Sequence, residues 1–159
     1  MGLSIGIMAD GLAATFWVHR DDLLQEEADI PAYCDGAYRE PKLFLAEDGR
    51  LIGGQIRARA DSVVYREQGD SLLTGNVRLV EGGRRIHTEL AILDRDANRV
   101  SIPNGATFFE PGMVIEAARG KMTLSEDRAV MEGAEFVLLE PEIRGHADRI
   151  ERIGNKLVL

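Results

Sequence analysis

A short pattern recurs through the second half of the chain and limits what it can fold into. It reads Asn76-Val77-Arg78-Leu79, then Gly105-Ala106-Thr107-Phe108, then Gly133-Ala134-Glu135-Phe136, with starts 29 and 28 residues apart. A second pattern is interleaved with the first. Ile56-Arg57-Ala58-Arg59-Ala60-Asp61 returns 87 residues later as Ile143-Arg144-Gly145-His146-Ala147-Asp148. Ile86-His87-Thr88-Glu89 and Ile115-Glu116-Ala117-Ala118 are weaker copies between them. Aligned on Ala60, Thr88, Ala117 and Ala147, the steps are 28, 29 and 30 residues. Two patterns sharing one period describe a stack of similar units, none of which buries its apolar face alone.

Each unit holds two extended segments. Ile56, Ala58 and Ala60 alternate with Arg57 and Arg59, the period of a half-buried strand. The apolar phase then slips by one residue. It continues at Val63 and Tyr65 after Ala60, at Ala91 and Leu93 after Thr88, and at Gly120 and Met122 after Ala117. The fourth copy keeps Ile150 but has Arg152 in the last place. A one-residue slip turns every side chain over unless a bulge or bend absorbs it. The pattern therefore predicts bends near Asp61, Glu89, Ala118 and Asp148, each carrying a strand round a corner with its apolar groups still inward.

Strands are expected over about 43–46, 51–59, 62–67, 71–80, 84–94, 98–102, 105–110, 113–124, 128–139, 142–151 and 155–159, separated by turns such as Glu81-Gly82-Gly83 and Pro111-Gly112. Asp21 or Asp22 is a candidate cap for a short helix running to Asp29, which Pro31 would stop. Phe16, Trp17 and Val18 form a small apolar knot. The expected organisation is an N-terminal extension, residues 1–41, with the short helix and a Cys-containing linker, followed by an all-β antiparallel domain, residues 42–159, built from repeats of about 29 residues.

The 159 residues carry a net charge of −8, which argues against a nucleic-acid partner, since phosphate binding needs a basic stripe. Arg57, Arg59, Arg84 and Arg85 form a local basic group that reads as a solvated strand face. His19, His87 and His146 have no metal-ligand spacing, so no metal is expected. No glycine-rich phosphate loop precedes a helix and no serine or cysteine sits in a nucleophile elbow. Neither a catalytic residue nor a cofactor is expected. Cys34 is the single cysteine and cannot form an internal disulfide. No apolar run reaches the roughly 20 residues of a membrane-spanning helix.

The distinctive feature is the inward phase: Ile56, Ala58, Ala60, Val63, Tyr65, Val77, Leu79, Ile86, Ala91, Leu93, Ala106, Phe108, Ala117, Met122, Ala134, Phe136, Ala147 and Ile150. Many of these side chains are small. They suit a closed sandwich core, or a trough between two sheets with room for an apolar guest, and periodicity does not separate the two. An acyl chain entering a trough would gain roughly 0.8 kcal/mol per buried methylene.

Asp61-Ser62-Val63-Val64-Tyr65, Leu73-Thr74-Gly75-Asn76-Val77-Arg78-Leu79 and Gly133-Ala134-Glu135-Phe136-Val137-Leu138 resemble the repeats of the OstA-type domain found in the bacterial lipopolysaccharide-transport proteins LptA, LptC and LptD. Trp17-Val18-His19-Arg20-Asp21-Asp22-Leu23, followed by Tyr33-Cys34-Asp35-Gly36-Ala37-Tyr38-Arg39-Glu40-Pro41, resembles the segment ahead of the periplasmic domain in the LptD branch. The resemblance runs from about Phe16 to the end. It implies an open two-sheet β-jellyroll, or β-taco, and a conduit rather than an enzyme. It further implies that the acyl chains of lipid A ride along the inward residues. Lipopolysaccharide would arrive from an LptA-like bridge joined by edge-strand pairing, and would leave to an LptD barrel with its LptE-like lipoprotein. The place implied is the periplasmic face of the outer membrane. Cys34 matches a family cysteine that forms a disulfide with the barrel region, which this chain lacks. A soluble LptA-like bridge protein and a repeat scaffold holding no lipid are the alternatives.

Overall fold

The computed structural model describes residues 17–24, 30, 31, 33–39, 56–67, 69–81, 83–139, 142–154 and 156–159. The expected strand at 43–46 and the start of the one at 51–59 lie outside these residues, as does the end of the expected N-terminal helix. Arg20–Asp22 form a single 3-10 turn.

Among the described residues, strands β1 (Trp17–His19) and β2 (Gly36–Tyr38) make a two-stranded ribbon. The other ten belong to one antiparallel sheet: β3 (Arg57–Arg59), β4 (Ser62–Val64), β5 (Asp70–Glu81), β6 (Arg84–Asp94), β7 (Arg99–Ile102), β8 (Ala106–Glu110), β9 (Met113–Thr123), β10 (Arg128–Leu138), β11 (Ile143–Ile153) and β12 (Lys156–Val158).

The long strands change neighbours half-way. β5 pairs with β4 through Leu72–Thr74 and with β3 through Arg78–Val80. β6 pairs with β8 through Arg85–His87 and with β7 through Ile92–Asp94. β9 pairs with β8 through Met113–Ala117 and with β7 through Gly120–Thr123. The sheet is thus folded along a line crossing every long strand, into two leaves. Leaf I holds β4, β7, β12 and the halves of the long strands around residues 70–74, 90–94, 119–123, 128–132 and 149–153. Leaf II holds β3, β8 and the halves around 77–81, 84–88, 113–117, 134–138 and 143–147. The strand order runs from β3 and β4 at one end to β12 at the other. Among the described residues the two ends do not pair, so the sheet is open rather than a barrel.

The crease coincides with the recurring pattern. Gly75, Asn76, Gly105 and Gly133 all have positive φ, at 74°, 44°, 74° and 58°. Glycine adopts this region freely and asparagine tolerates it. Between β5 and β6 the pairs step from Thr74–Leu90 to Val77–Thr88, so Gly75 and Asn76 stand opposite Glu89 alone. That is a bulge. The Asp61 N–H donates to the Gly75 carbonyl (2.9 Å) and the Gly105 N–H to the Ala118 carbonyl (2.8 Å). The Asn76 side-chain amide donates to the Asp61 carboxylate at 2.8 Å. The expected bend positions Asp61, Glu89, Ala118 and Asp148 therefore lie on one line with the positive-φ residues.

The phase slip follows the crease. Burial passes from Thr88 to Ala91 in β6, from Ala117 to Gly120 in β9 and from Ala134 back to Met131 in β10. β9, β10 and β11 slip together, so their register survives the corner: Glu132 pairs with Arg119 and Arg149, then Ala134 with Ala117 and Ala147.

Candidate functional site

The site is the space between the leaves. At its apex, against the crease, the register aligns Ala106, Ala117, Ala134 and Ala147 across β8, β9, β10 and β11. Thr88 extends this row in β6, its hydroxyl donating to the Gly105 carbonyl at 2.7 Å. Large side chains have no place where two leaves converge, which gives the small residues of the pattern a geometric cause. Further from the crease the side chains grow. Phe108 pairs with Ile86 and Ile115, and Phe136 with Ile115 and Gly145. The Phe108 ring reaches from leaf II to Gly120 of leaf I, where a Cβ would lie 2.5 Å from Cζ. Gly120 keeps the leaves close by having no side chain.

Of the eighteen residues expected to face inward, fifteen belong to one apolar cluster or pack against it. Val77, Leu79, Ile86, Ala91, Ala106, Phe108, Ala117, Met122, Ala134 and Ile150 are buried members, while Ile56, Ala60, Leu93, Phe136 and Ala147 are partly buried against them. The other three lie at the β3–β4 end. Ala58 is exposed, Val63 is 57% exposed and Tyr65 is 62% exposed. Nothing described covers that edge, and an Arg95 guanidinium lies 5.0 Å over the Tyr65 ring. Leu73, Val100, Ile102, Ile115, Ala129 and Met131 are buried in the same cluster, beyond the residues that the periodicity singles out. Continuing the alternation past each corner would have found Ala129 and Met131.

The space is nearly full. Between the leaves, beside Phe108, Met122, Met131 and Leu157, is a void of about 30 Å³, room for about two waters. A guest larger than that would fit only if the leaves parted.

At the rim opposite the crease the leaves are joined by charge. Arg152 stands at the inward place held by Leu93 and Met122 in other copies, and it is only 6% exposed. Its Nε lies 2.7 Å from a Glu110 oxygen and its Nη1 lies 3.0 Å from Asp127 Oδ1. Arg84 Nη1 lies 2.6 Å from the same Asp127 oxygen and its Nε 3.3 Å from Glu110. Arg84 and Glu110 belong to leaf II, Arg152 and Asp127 to the rim of leaf I. Burial pushes the Glu110 carboxyl above its ordinary range. Arg84 pulls the other way, and Asp127 and Glu81 add to the rise. The basic group expected to be solvated is therefore split. Arg57 and Arg59 are exposed, whereas Arg84 and Arg85 are half-buried, Arg84 because it holds the rim.

The N-terminal ribbon lies outside the space between the leaves. Trp17 and Tyr38 meet edge to face at 5.0 Å, and Tyr38 packs with Phe109, Val114, Val137 and Leu139 on the outer side of leaf II. A Cβ at Gly36 would strike the Trp17 ring and the Val18 carbonyl. Arg20 Nε donates to the Cys34 carbonyl at 2.9 Å. Within the segment expected to be a Cys-containing linker, Gly36–Tyr38 pairs with Trp17–His19, and Cys34 is a half-buried free thiol beside that pair. His146 is exposed and His87 half-buried. Among the described residues no group of three or more His, Cys, Asp or Glu could hold a metal ion. No helix among them is long and apolar enough to cross a membrane, which says nothing of β-barrels.

No protein-family model matches the chain. It is 28% identical over 126 residues to the LPS-assembly protein LptD of Saccharophagus degradans, covering 79% of this chain and 15% of that protein. It is 26% identical over 145 residues to LptD of Pseudomonas savastanoi pv. phaseolicola, covering 89% and 16%. The chain thus spans about a sixth of the length of these relatives. Among solved structures, LptH of Pseudomonas aeruginosa, the LptA-homologous periplasmic component of a lipopolysaccharide transport device, shares the fold with a TM-score of 0.53. That match has 16% identity and covers 65% of this chain and 80% of LptH. Distant homology to LptD, together with the fold of an LptA homologue, supports membership of the lipopolysaccharide-transport superfamily.

Proposed function

We propose that this chain is a non-enzymatic periplasmic conduit for lipopolysaccharide, whose lipid A acyl chains lie between the two leaves. The observation that carries the reading is the single apolar seam running from the β3–β4 edge to β12 inside a sheet that is folded but not closed. A closed core has no ends. This one leaves Val63 and Tyr65 exposed at one end and Ile143 at the other. Open edges can accept a further strand from a neighbour, so an LptA-like bridge joins one edge and the barrel-bearing part of an LptD-like protein continues from the other. Each methylene placed in the seam gains roughly 0.8 kcal/mol, which offsets the packing energy given up as the leaves part. Transfer needs no covalent step. The ribbon around Cys34 resembles the LptD branch and positions the thiol outside the trough, open to a disulfide with the barrel region.

The fold match over most of LptH favours a second reading, a free-standing bridge component. Both readings share the trough. Photo-crosslinking residues placed at Phe108, Phe136 and Leu79 of the purified chain, incubated with lipopolysaccharide, should yield lipid adducts, while positions on the outer faces should not. Absence of adducts at every inward position overturns the conduit and leaves the scaffold.

A further inference from the structure

We propose that Arg84, Glu110, Asp127 and Arg152 form the gate of the trough, a clasp across its rim whose release lets the leaves part and admit an amphiphile from the side. The inference rests on the trough reading and goes beyond it by assigning the residues that control entry. Two of the ion pairs run from one leaf to the other: Arg84 with Asp127 at 2.6 Å and Arg152 with Glu110 at 2.7 Å. The remaining pairs, Arg152 with Asp127 at 3.0 Å and Arg84 with Glu110 at 3.3 Å, close the four into a ring. Glu81 adds a third carboxylate, 3.5 Å from Arg84. The void between the leaves lies directly beneath and includes Arg84, Glu110 and Arg152 in its lining.

Energetics distinguish this ring from the rest of the interface. When the leaves separate, Phe108, Met122 and Met131 give up their apolar packing, and an entering acyl chain restores it. The ring's ion pairs are not remade by an acyl chain, and once the leaves part their charges are left to water alone, which replaces them only in part. They therefore set the resistance to opening, while the apolar seam sets the affinity once open. Arg152 sharpens the argument, because Leu93 and Met122 hold its place in other repeats and would fill the seam without a charge. A buried guanidinium there costs desolvation that only its carboxylates offset. The repeat is broken where these ion pairs bridge the rim.

The test measures uptake of fluorescently labelled lipopolysaccharide by the purified full chain. Arg152→Met restores the residue type of the repeat and should bind about fivefold faster than wild type, the kinetic equivalent of one part-exposed ion pair. In a Cys34→Ser background, Arg84→Cys with Asp127→Cys joined by a reducible thiol linker should bind far more slowly, and reduction should restore the rate. Wild type and every variant, linked or not, binding at one rate overturns the clasp and leaves the trough standing. Binding by Arg152→Met that is slower than wild type or absent, in a chain whose circular dichroism matches wild type, overturns the clasp, and no binding by wild type either overturns the trough reading with it.

Discussion

The crease and the rim both join the two leaves, and they do so by opposite means. At the crease the leaves are one covalent sheet, and the joint is made of backbone: positive φ at Gly75, Asn76, Gly105 and Gly133, and alanines small enough for the inner angle. At the rim they are separate strand ends held by long charged side chains. A backbone joint tolerates little change and feels salt weakly. An ion-pair joint can let go and be remade. A sheet with a fixed hinge on one side and a releasable joint on the other is suited to opening without unfolding.

The sharpest way to break this comparison is at the apex. Ala134 is 2% exposed between Ala117 and Ala147, and Ala134→Asp should cost about 3–5 kcal/mol, as an unpaired buried charge does. A wild-type midpoint for this variant in urea denaturation would show that the apex is not closed. Gly120→Val comes next, at about 1–3 kcal/mol, because the added methyls meet the Phe108 ring. Phe108→Leu should recover part of the loss in a double-mutant cycle, and strict additivity would mean that the ring does not bridge the leaves. Arg152→Met at the rim should cost about 1 kcal/mol, since its carboxylate partners are partly open to solvent. Its deficit should shrink in 1 M salt, by the screening that roughly 3 Å of Debye length provides. A salt-independent deficit would make the rim another packed core. Gly133→Ala should lose about 1 kcal/mol for its φ of 58°, with no salt dependence.

The smallest effects are in pH. Glu151 accepts hydrogen bonds from Arg149 and Arg128, which hold its carboxyl below the ordinary value of 4.5. Its contribution is present above 4.5 and is lost as pH falls through the depressed folded value, so the deficit of Glu151→Gln should vanish in acid. Glu110 has the opposite sign. Its raised carboxyl favours the fold below 4.5, and that contribution is lost as pH rises through the folded value. Glu110→Gln should therefore gain on wild type from acid towards neutrality. Parallel pH profiles for the two variants would remove the distinction between a rim carboxylate and a surface one.

The repeats, their slip in phase and the bends at Glu89, Ala118 and Asp148 were legible because a strand leaves a period of two and a corner must disturb it. The strands from β5 to β12 fall close to their expected ranges for the same reason. The ribbon of β1 and β2 was not legible: three-residue strands far apart in the chain leave no period. The exposure of Val63 and Tyr65 was also hidden, because alternation names a face but not whether another strand covers it.

The chain by itself determined where the sheet must turn, since φ preferences of glycine and asparagine and the parity of side chains are local properties. What lies across the fold was decided only in three dimensions. Arg152 reads as a lapse in the repeat until Glu110 and Asp127 arrive from distant strands, because Coulomb attraction depends on separation in space and carries no trace in sequence order.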